Sequence, residues 1–287
     1  MALKNNHKYY ALAITAALIA LALLIKSKVS SVSALVWEKS SDFFTTSTGV
    51  NLRNLAKKVG ISLSRNTGLN SSGFSQSKYQ SAKSNPDVYW AIYDITNDTL
   101  LASSSNATKN VYGASVPKVF VASAALANNN GNISSGDYEK IIKLLVKSDN
   151  EVWTPLQNLA GGGQKVNDWA KSMGYKNQPA RSLGNNANAI DMCKLWRDVC
   201  RNNFKGAEVI FRISSSCQTS ASRSRKYMPS SVYVGSKTGT WLKSNHDCGW
   251  VQKGENFYAI AVFTELGSAG SDYIANMWRG LFNEYVK

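Results

Sequence analysis

The chain reads as an α+β fold: a five-stranded antiparallel sheet flanked by helices, with an all-helical subdomain between its first and last strands. Three observations predict it. Runs of β-branched and aromatic residues at 88–95 (VYWAIYDI) and 99–102, joined by the turn Thr96-Asn97-Asp98, form a hairpin ahead of a long helical middle. Three further strand-like runs, at 232–240, 247–252 and 257–264, follow that middle, and an amphipathic segment at 273–286 closes the chain. Strands at both ends of a helical stretch have to pair across sequence distance, which favours an antiparallel sheet with segregated helices.

The elements ahead of the sheet come first in the chain. Residues 9–25 (YYALAITAALIALALLI) carry no charge and are flanked by Lys4, Lys8, Lys26 and Lys28, the pattern of a short membrane span. Val32-Ser33-Ala34 also offers a small-residue cleavage site, but lysines between an apolar core and such a site are unusual, so an uncleaved anchor is favoured. Residues 27–85 turn to Ser, Asn, Thr and Lys, with one short helical stretch near 50–59, and read as a linker. The division is therefore an anchor or signal at 1–26, a linker at 27–85 and a domain at 86–287. The expected location is the cell membrane, single-pass with the C-terminal domain outside, or secreted if cleavage falls near Ala34.

The helical middle breaks at Asn- and Gly-rich points into stretches near 116–127, 138–147, 151–160, 164–173 and 190–203. At 287 residues and 44% hydrophobic, the chain can bury a substantial core. Its formal charge of +15 suits an anionic membrane surface or an acidic wall polymer. Nucleic acid is disfavoured as a partner, because no zinc-finger spacing or aromatic RNA-binding signature accompanies the charge. Cys193, Cys200, Cys217 and Cys248 contain no C-x-x-C pair, which argues against a metal site, and no cofactor is expected. Cys193 and Cys200 share a helix face but stand about 10 Å apart along it, too far to bridge each other.

Three motifs carry chemistry, in a fixed order. They are Ser115-Val116-Pro117-Lys118, Ser148-Asp149-Asn150 and Lys237-Thr238-Gly239, the S-x-x-K, S-D-N and K-T-G set. Each is weak alone: Ser75-Gln76-Ser77-Lys78 also fits S-x-x-K. Serine needs a neighbouring base to attack at neutral pH, and residues three apart on a helix share a face, so Ser115 and Lys118 are expected to meet. Pro117 is tolerated only in a first helical turn, which puts Ser115 at a helix start, where free N–H groups favour a developing oxyanion. Burial beside Lys237 would depress the Lys118 pKa and make it a base. Ser148 and Asn150 fall in a break between helices. There the hydroxyl can relay a proton to a leaving nitrogen and the amide can hold the substrate or the lysine; capping of the next helix is the competing explanation. Gly239 lets a substrate backbone approach the strand, the N–H groups of Ser115 and Thr240 could form an oxyanion hole, and Lys237 with Thr238 could bind a carboxylate.

With these motifs in place, the segment from Asp87 to Lys287 resembles a class A β-lactamase, within the wider family of penicillin-binding D,D-peptidases. Gly161-Gly162 and Met173-Gly174 follow Ser148-Asp149-Asn150 at similar offsets, and His246-Asp247-Cys248-Gly249 follows Thr240-Trp241. The resemblance implies a monomeric serine hydrolase with a β-lactamase/transpeptidase-like fold, acylated on Ser115 by β-lactams or by peptidoglycan stem peptides ending in D-alanyl-D-alanine.

Three features depart from that family. Between Val152 and Ala207 there is no glutamate to activate a deacylating water; the only carboxylates are Asp168, Asp191 and Asp198. The loop at 177–189 carries a single charge, Arg181, so slow deacylation is expected. The spacing from Ser115 to Ser148 is shorter than usual, and the strand after Lys237-Thr238-Gly239 lacks an arginine. Tyr175-Lys176-Asn177 fits the Y-x-N motif of other branches but lies after Met173-Gly174, a poorer position than that of Ser148-Asp149-Asn150. The alternatives are a penicillin-binding D,D-peptidase, a non-catalytic sensor that stays acylated, and a basic wall-binding protein with remnant motifs. A Ser-His-Asp hydrolase would need His7 or His246 and a G-x-S-x-G elbow that the chain lacks, so His246 is read as structural.

Overall fold

The computed structural model describes residues 42–287. Strands β1 (Val88–Asp94), β2 (Thr99–Ser103), β5 (Tyr233–Trp241), β6 (Ser244–Lys253) and β7 (Asn256–Thr264) form one antiparallel sheet in the order β2-β1-β7-β6-β5. Strand β1 pairs with β7 along its whole length, so the two ends of the domain close on each other. Strands β3 (Val111–Tyr112) and β4 (Asn186–Ala187) make a separate two-residue ladder.

Nine α-helices lie among the described residues. One face of the sheet is covered by α2 (Gln76–Ser84) and α9 (Gly270–Tyr285). Val88, Trp90 and Ile92 of β1, Ile260 and Val262 of β7, and Ile274, Trp278 and Leu281 of α9 interlock there in one apolar cluster. The other face carries α7 (Ala189–Cys200), whose Cys193 thiol reaches the Ala91 carbonyl at 3.5 Å. All four cysteines are free and buried, behaving as small hydrophobes. The remaining helices gather around α3 (Lys118–Asn128), buried from Lys118 to Leu126 because its sequence, KVFVASAAL, is apolar on every side but one. Against it pack α5 (Trp153–Leu159), α6 (Gly163–Ser172) and α8 (Ala207–Ser214). Helix α4 (Ser135–Ile142) runs on into a π-helical turn, Lys143–Lys147.

The described part of the expected linker, 42–85, is folded onto the domain. Helix α1 (Leu52–Lys58) packs on α4, burying Leu52 and Leu55, while Ile61 and Leu63 are buried further along. Thr67 pairs with Tyr233 at the start of β5, and the Tyr79 hydroxyl donates to Glu284 across the α2–α9 contact. The polar composition hid this because few apolar residues are needed when each sits at helical spacing on an inward face. Helix α8 was also absent from the sequence reading: Val209, Ile210 and Ile213 give AEVIFRIS a strand-like bias that burial against β5 and α3 overrides. The β3–β4 ladder has no local signal, since two residues make no period. The apolar run at 9–25 lies outside the described residues, among which no helix is long and apolar enough to cross a membrane.

Candidate active site

Ser115 stands in the turn just ahead of α3, half-buried, with Pro117 taking the helix-entry position at φ −60°. The preceding residue, Ala114, is held at φ +50°, a left-handed conformation that costs a non-glycine residue about 1–3 kcal/mol and persists only where surroundings impose it. Asn185 imposes it here. Its carbonyl accepts from Gly113 N at 2.8 Å and its side-chain amide donates to the Ala114 carbonyl at 3.3 Å.

Lys118, one turn into the same segment, has 0% of its surface exposed and Lys237, on β5, has 1%. Both ammonium-bearing chains end on one hydroxyl. Lys118 Nζ lies 3.2 Å and Lys237 Nζ 2.9 Å from Ser148 Oγ. Lys118 also donates to the Ser148 carbonyl at 2.5 Å and to Asn150 Oδ1 at 2.6 Å, and Lys237 to the Thr238 carbonyl at 2.7 Å. Ser148 reaches this position because the π-turn before it ends with the residue at φ +59°, which swings its side chain and carbonyl toward α3. The expectation that Ser115 and Lys118 would meet directly is altered in one respect: the Lys118 hydrogen bonds run to Ser148 and Asn150, and none is made to Ser115 Oγ.

Burial pushes the Lys118 amine down to about 7; Lys237 and Arg181 act in the same direction, and Asp149 opposes them. Burial also lowers the Lys237 pKa. An amine with a pKa near neutrality is half deprotonated there and can take a proton from a hydroxyl.

Strand β5 brings the K-T-G residues to the Ser115 turn. A β-carbon on Gly239 would stand 2.9 Å from the Gly113 carbonyl oxygen and 3.0 Å from Ser115 N, so this approach requires glycine. Thr238 shares a close hydroxyl contact with Thr219, and exposed Thr240 accepts from Arg223 Nη2 at 2.6 Å. Strand β6 holds no arginine, and Arg223 carries no local cue in the sequence. Buried at 7% exposure, it arrives instead from the short 3-10 segment before β5 and also donates to the Gly239 and His246 carbonyls at 3.2 and 2.9 Å. Within ASRSRKY it looks like any surface arginine, and only the fold shows which one turns inward.

His246 is structural. Its Nε2 lies 2.9 Å from the Tyr112 carbonyl and Nδ1 accepts from Thr264 N at 3.3 Å, which fixes a neutral ring that burial holds down to about 4. The three carboxylates of the 152–207 stretch are likewise committed elsewhere. Asp191 accepts from Lys176 N, Asn177 N and Asn188 Nδ2; Asp198 accepts from Tyr175 and Asn203 and pairs with Arg197; Asp168 is exposed on α6 and bonded to Gln164.

A serine at a helix entry, two buried lysines and an S-D-N hydroxyl on an α+β scaffold fit the class of serine hydrolases. The family model described as the Beta-lactamase enzyme family matches residues 137–280, half of the chain, and the chain belongs to that family. Among solved structures it is similar to the TLA-3 extended-spectrum β-lactamase, with a TM-score of 0.63 at 18% identity over 75% of this chain and 100% of that one. It is also similar to a class A β-lactamase from Bacteroides cellulosilyticus, with a TM-score of 0.62, 19% identity, and 72% and 95% of the two chains covered. A third is a leucine-to-glutamate mutant of PBP-A in an acyl-enzyme complex with penicillin G, with a TM-score of 0.62, 14% identity, and 72% and 94% covered. At these identities the likeness is one of fold. No curated protein sequence matches the chain.

Proposed function

We propose that the protein forms a long-lived acyl-enzyme on Ser115 with β-lactams or with peptidoglycan peptides ending in D-alanyl-D-alanine. The observation that carries this reading is the convergence of Lys118 and Lys237 on Ser148 Oγ beside the Ser115 turn. Ser115 Oγ attacks the substrate carbonyl as its proton passes to the neutral Lys118 amine. The N–H groups of Ser115 and Thr240 stabilise the oxyanion. The proton then moves from Lys118 through Ser148 to the departing nitrogen as its bond to the carbonyl carbon breaks. Lys237, with Thr238 and the guanidinium of Arg223, favours a substrate carboxylate at the end of β5.

Deacylation needs a base for water, and this reading makes it slow because the carboxylates of residues 152–207 are tied up or turned outward. The same property suits a D,D-peptidase or a sensor that reports acylation. Residues 9–25 would anchor the chain with this domain outside the membrane, where such substrates occur, and the positive charge suits an anionic wall.

The test is intact-mass analysis after exposure to a reporter penicillin. The wild type is expected to gain one adduct that peptide mapping assigns to Ser115, and Ser115→Ala to gain none. An unmodified wild type, or an equal adduct on Ser115→Ala, refutes the proposal.

A further inference from the structure

The Lys118 amine is enclosed by more than polar groups. Trp153, the first residue of α5 and 4% exposed, places its ring centroid 4.9 Å from Lys118 Nζ. The guanidinium of Arg181 stands 5.2 Å from the same centroid. One helix fixes both contacts. Gln157, a turn beyond Trp153 on α5 and itself buried, accepts from the Arg181 backbone N–H at 3.0 Å through its side-chain oxygen. The segment from Ser148 to Trp153 therefore presents a carbonyl, a hydroxyl, an amide oxygen and an aromatic ring to one nitrogen.

These neighbours act in opposite senses. An aromatic face attracts an ammonium and offers little to a neutral amine, so the Trp153 ring favours protonated Lys118. The Arg181 guanidinium repels that ammonium and competes for the ring, so it favours the neutral amine. The other charged groups facing Lys118 are Lys237 on β5, which acts with Arg181, and Asp149, which acts with Trp153.

We infer that Trp153 and Arg181 are an opposed pair of positioning residues that sets how readily Lys118 gives up its proton. The loop that carries Arg181 thus tunes the base of acylation and supplies no base for deacylation. The inference rests on Lys118 serving as the proton acceptor of Ser115, and its test separates the two.

The full chain, labelled with 13C at lysine Cε, is titrated by NMR in wild type, Trp153→Phe, Trp153→Leu and Arg181→Gln, with the Lys118 signal assigned by its loss in Lys118→Met. The acid limb of reporter-penicillin acylation is measured in the same proteins. Trp153→Leu is expected to lower the Lys118 midpoint by about half a unit to one and a half units, and Trp153→Phe by less. Arg181→Gln, a change at an exposed side chain, is expected to raise it, and the acid limb to move with it in each case. An unmoved or lowered midpoint in Arg181→Gln overturns the inference, as does a Trp153→Leu midpoint at or above wild type. Should Trp153→Leu fail to fold, Trp153→Phe and Arg181→Gln decide. Shifts in the NMR midpoint without any acylation of Ser115 would uphold the tuning and sink the proposed function.

Discussion

Lys237 Nζ lies 2.9 Å from Ser148 Oγ although 89 residues separate the two. The strand that closes the sheet and the π-turn that ends α4 have to be placed together for this contact to exist. Once they are, a hydroxyl sits between two buried amines, one of them with a pKa near neutrality, and the consequences can be measured.

Acylation should depend on pH through Lys118. With the neutral amine as the proposed base, the rate is expected to fall about tenfold per unit below the Lys118 pKa of about 7 and to level off above it. Second-order rates of reporter-penicillin labelling between pH 5 and 9 check the sign. A rate that rises as pH falls would exclude Lys118 as the base. Lys118→Met should lose on the order of a hundredfold or more.

The adduct should outlast its formation by far. Asp191 and Asp198 are held in internal hydrogen bonds and Asp168 is exposed on α6, so the stretch offers no committed base for water. The acyl-enzyme followed by mass after removal of free penicillin is expected to persist for hours. Fast multiple turnover of nitrocefin would show that another group activates water.

Gly239→Ala should separate the nucleophile turn from β5. Its methyl would sit 2.9 Å from the Gly113 carbonyl oxygen and 3.0 Å from Ser115 N, and these backbone atoms can move only by displacing the turn. The expected result is a folded protein destabilised by about 1–3 kcal/mol in urea titration, with acylation at least about tenfold slower. Unchanged labelling would mean that Ser115 is not held by this contact.

Tyr79→Ala tests whether the segment before β1 belongs to the domain. Tyr79 is 1% exposed between α2 and α9 and donates to Glu284, so its truncation should cost about 3–5 kcal/mol of unfolding free energy. A loss under about 0.5 kcal/mol, the range of an exposed site, would return residues 76–84 to the status of a linker.

Local pattern carried much of this protein. The apolar run of 119–126, bounded by Pro117, marks a buried helix whose first turn holds a serine and a lysine three apart. Runs of β-branched and aromatic residues at 88–94 and 256–264 mark strands that are buried almost throughout, because helices cover both faces of the sheet. The three ordered motifs are legible in the sequence as a known set, and residue chemistry explains why each would be needed.

What residues close in sequence could not reveal is which distant groups share a cleft. That Arg223 turns inward, that Trp153 and Arg181 bracket the Lys118 amine, and that the polar stretch from 42 to 85 wraps the domain each depend on packing between segments far apart in the chain. Residue pattern determined most elements of this protein, and motif order its candidate site residues. Burial and charge proximity, which exist only after the chain has closed on itself, decided their protonation and their company.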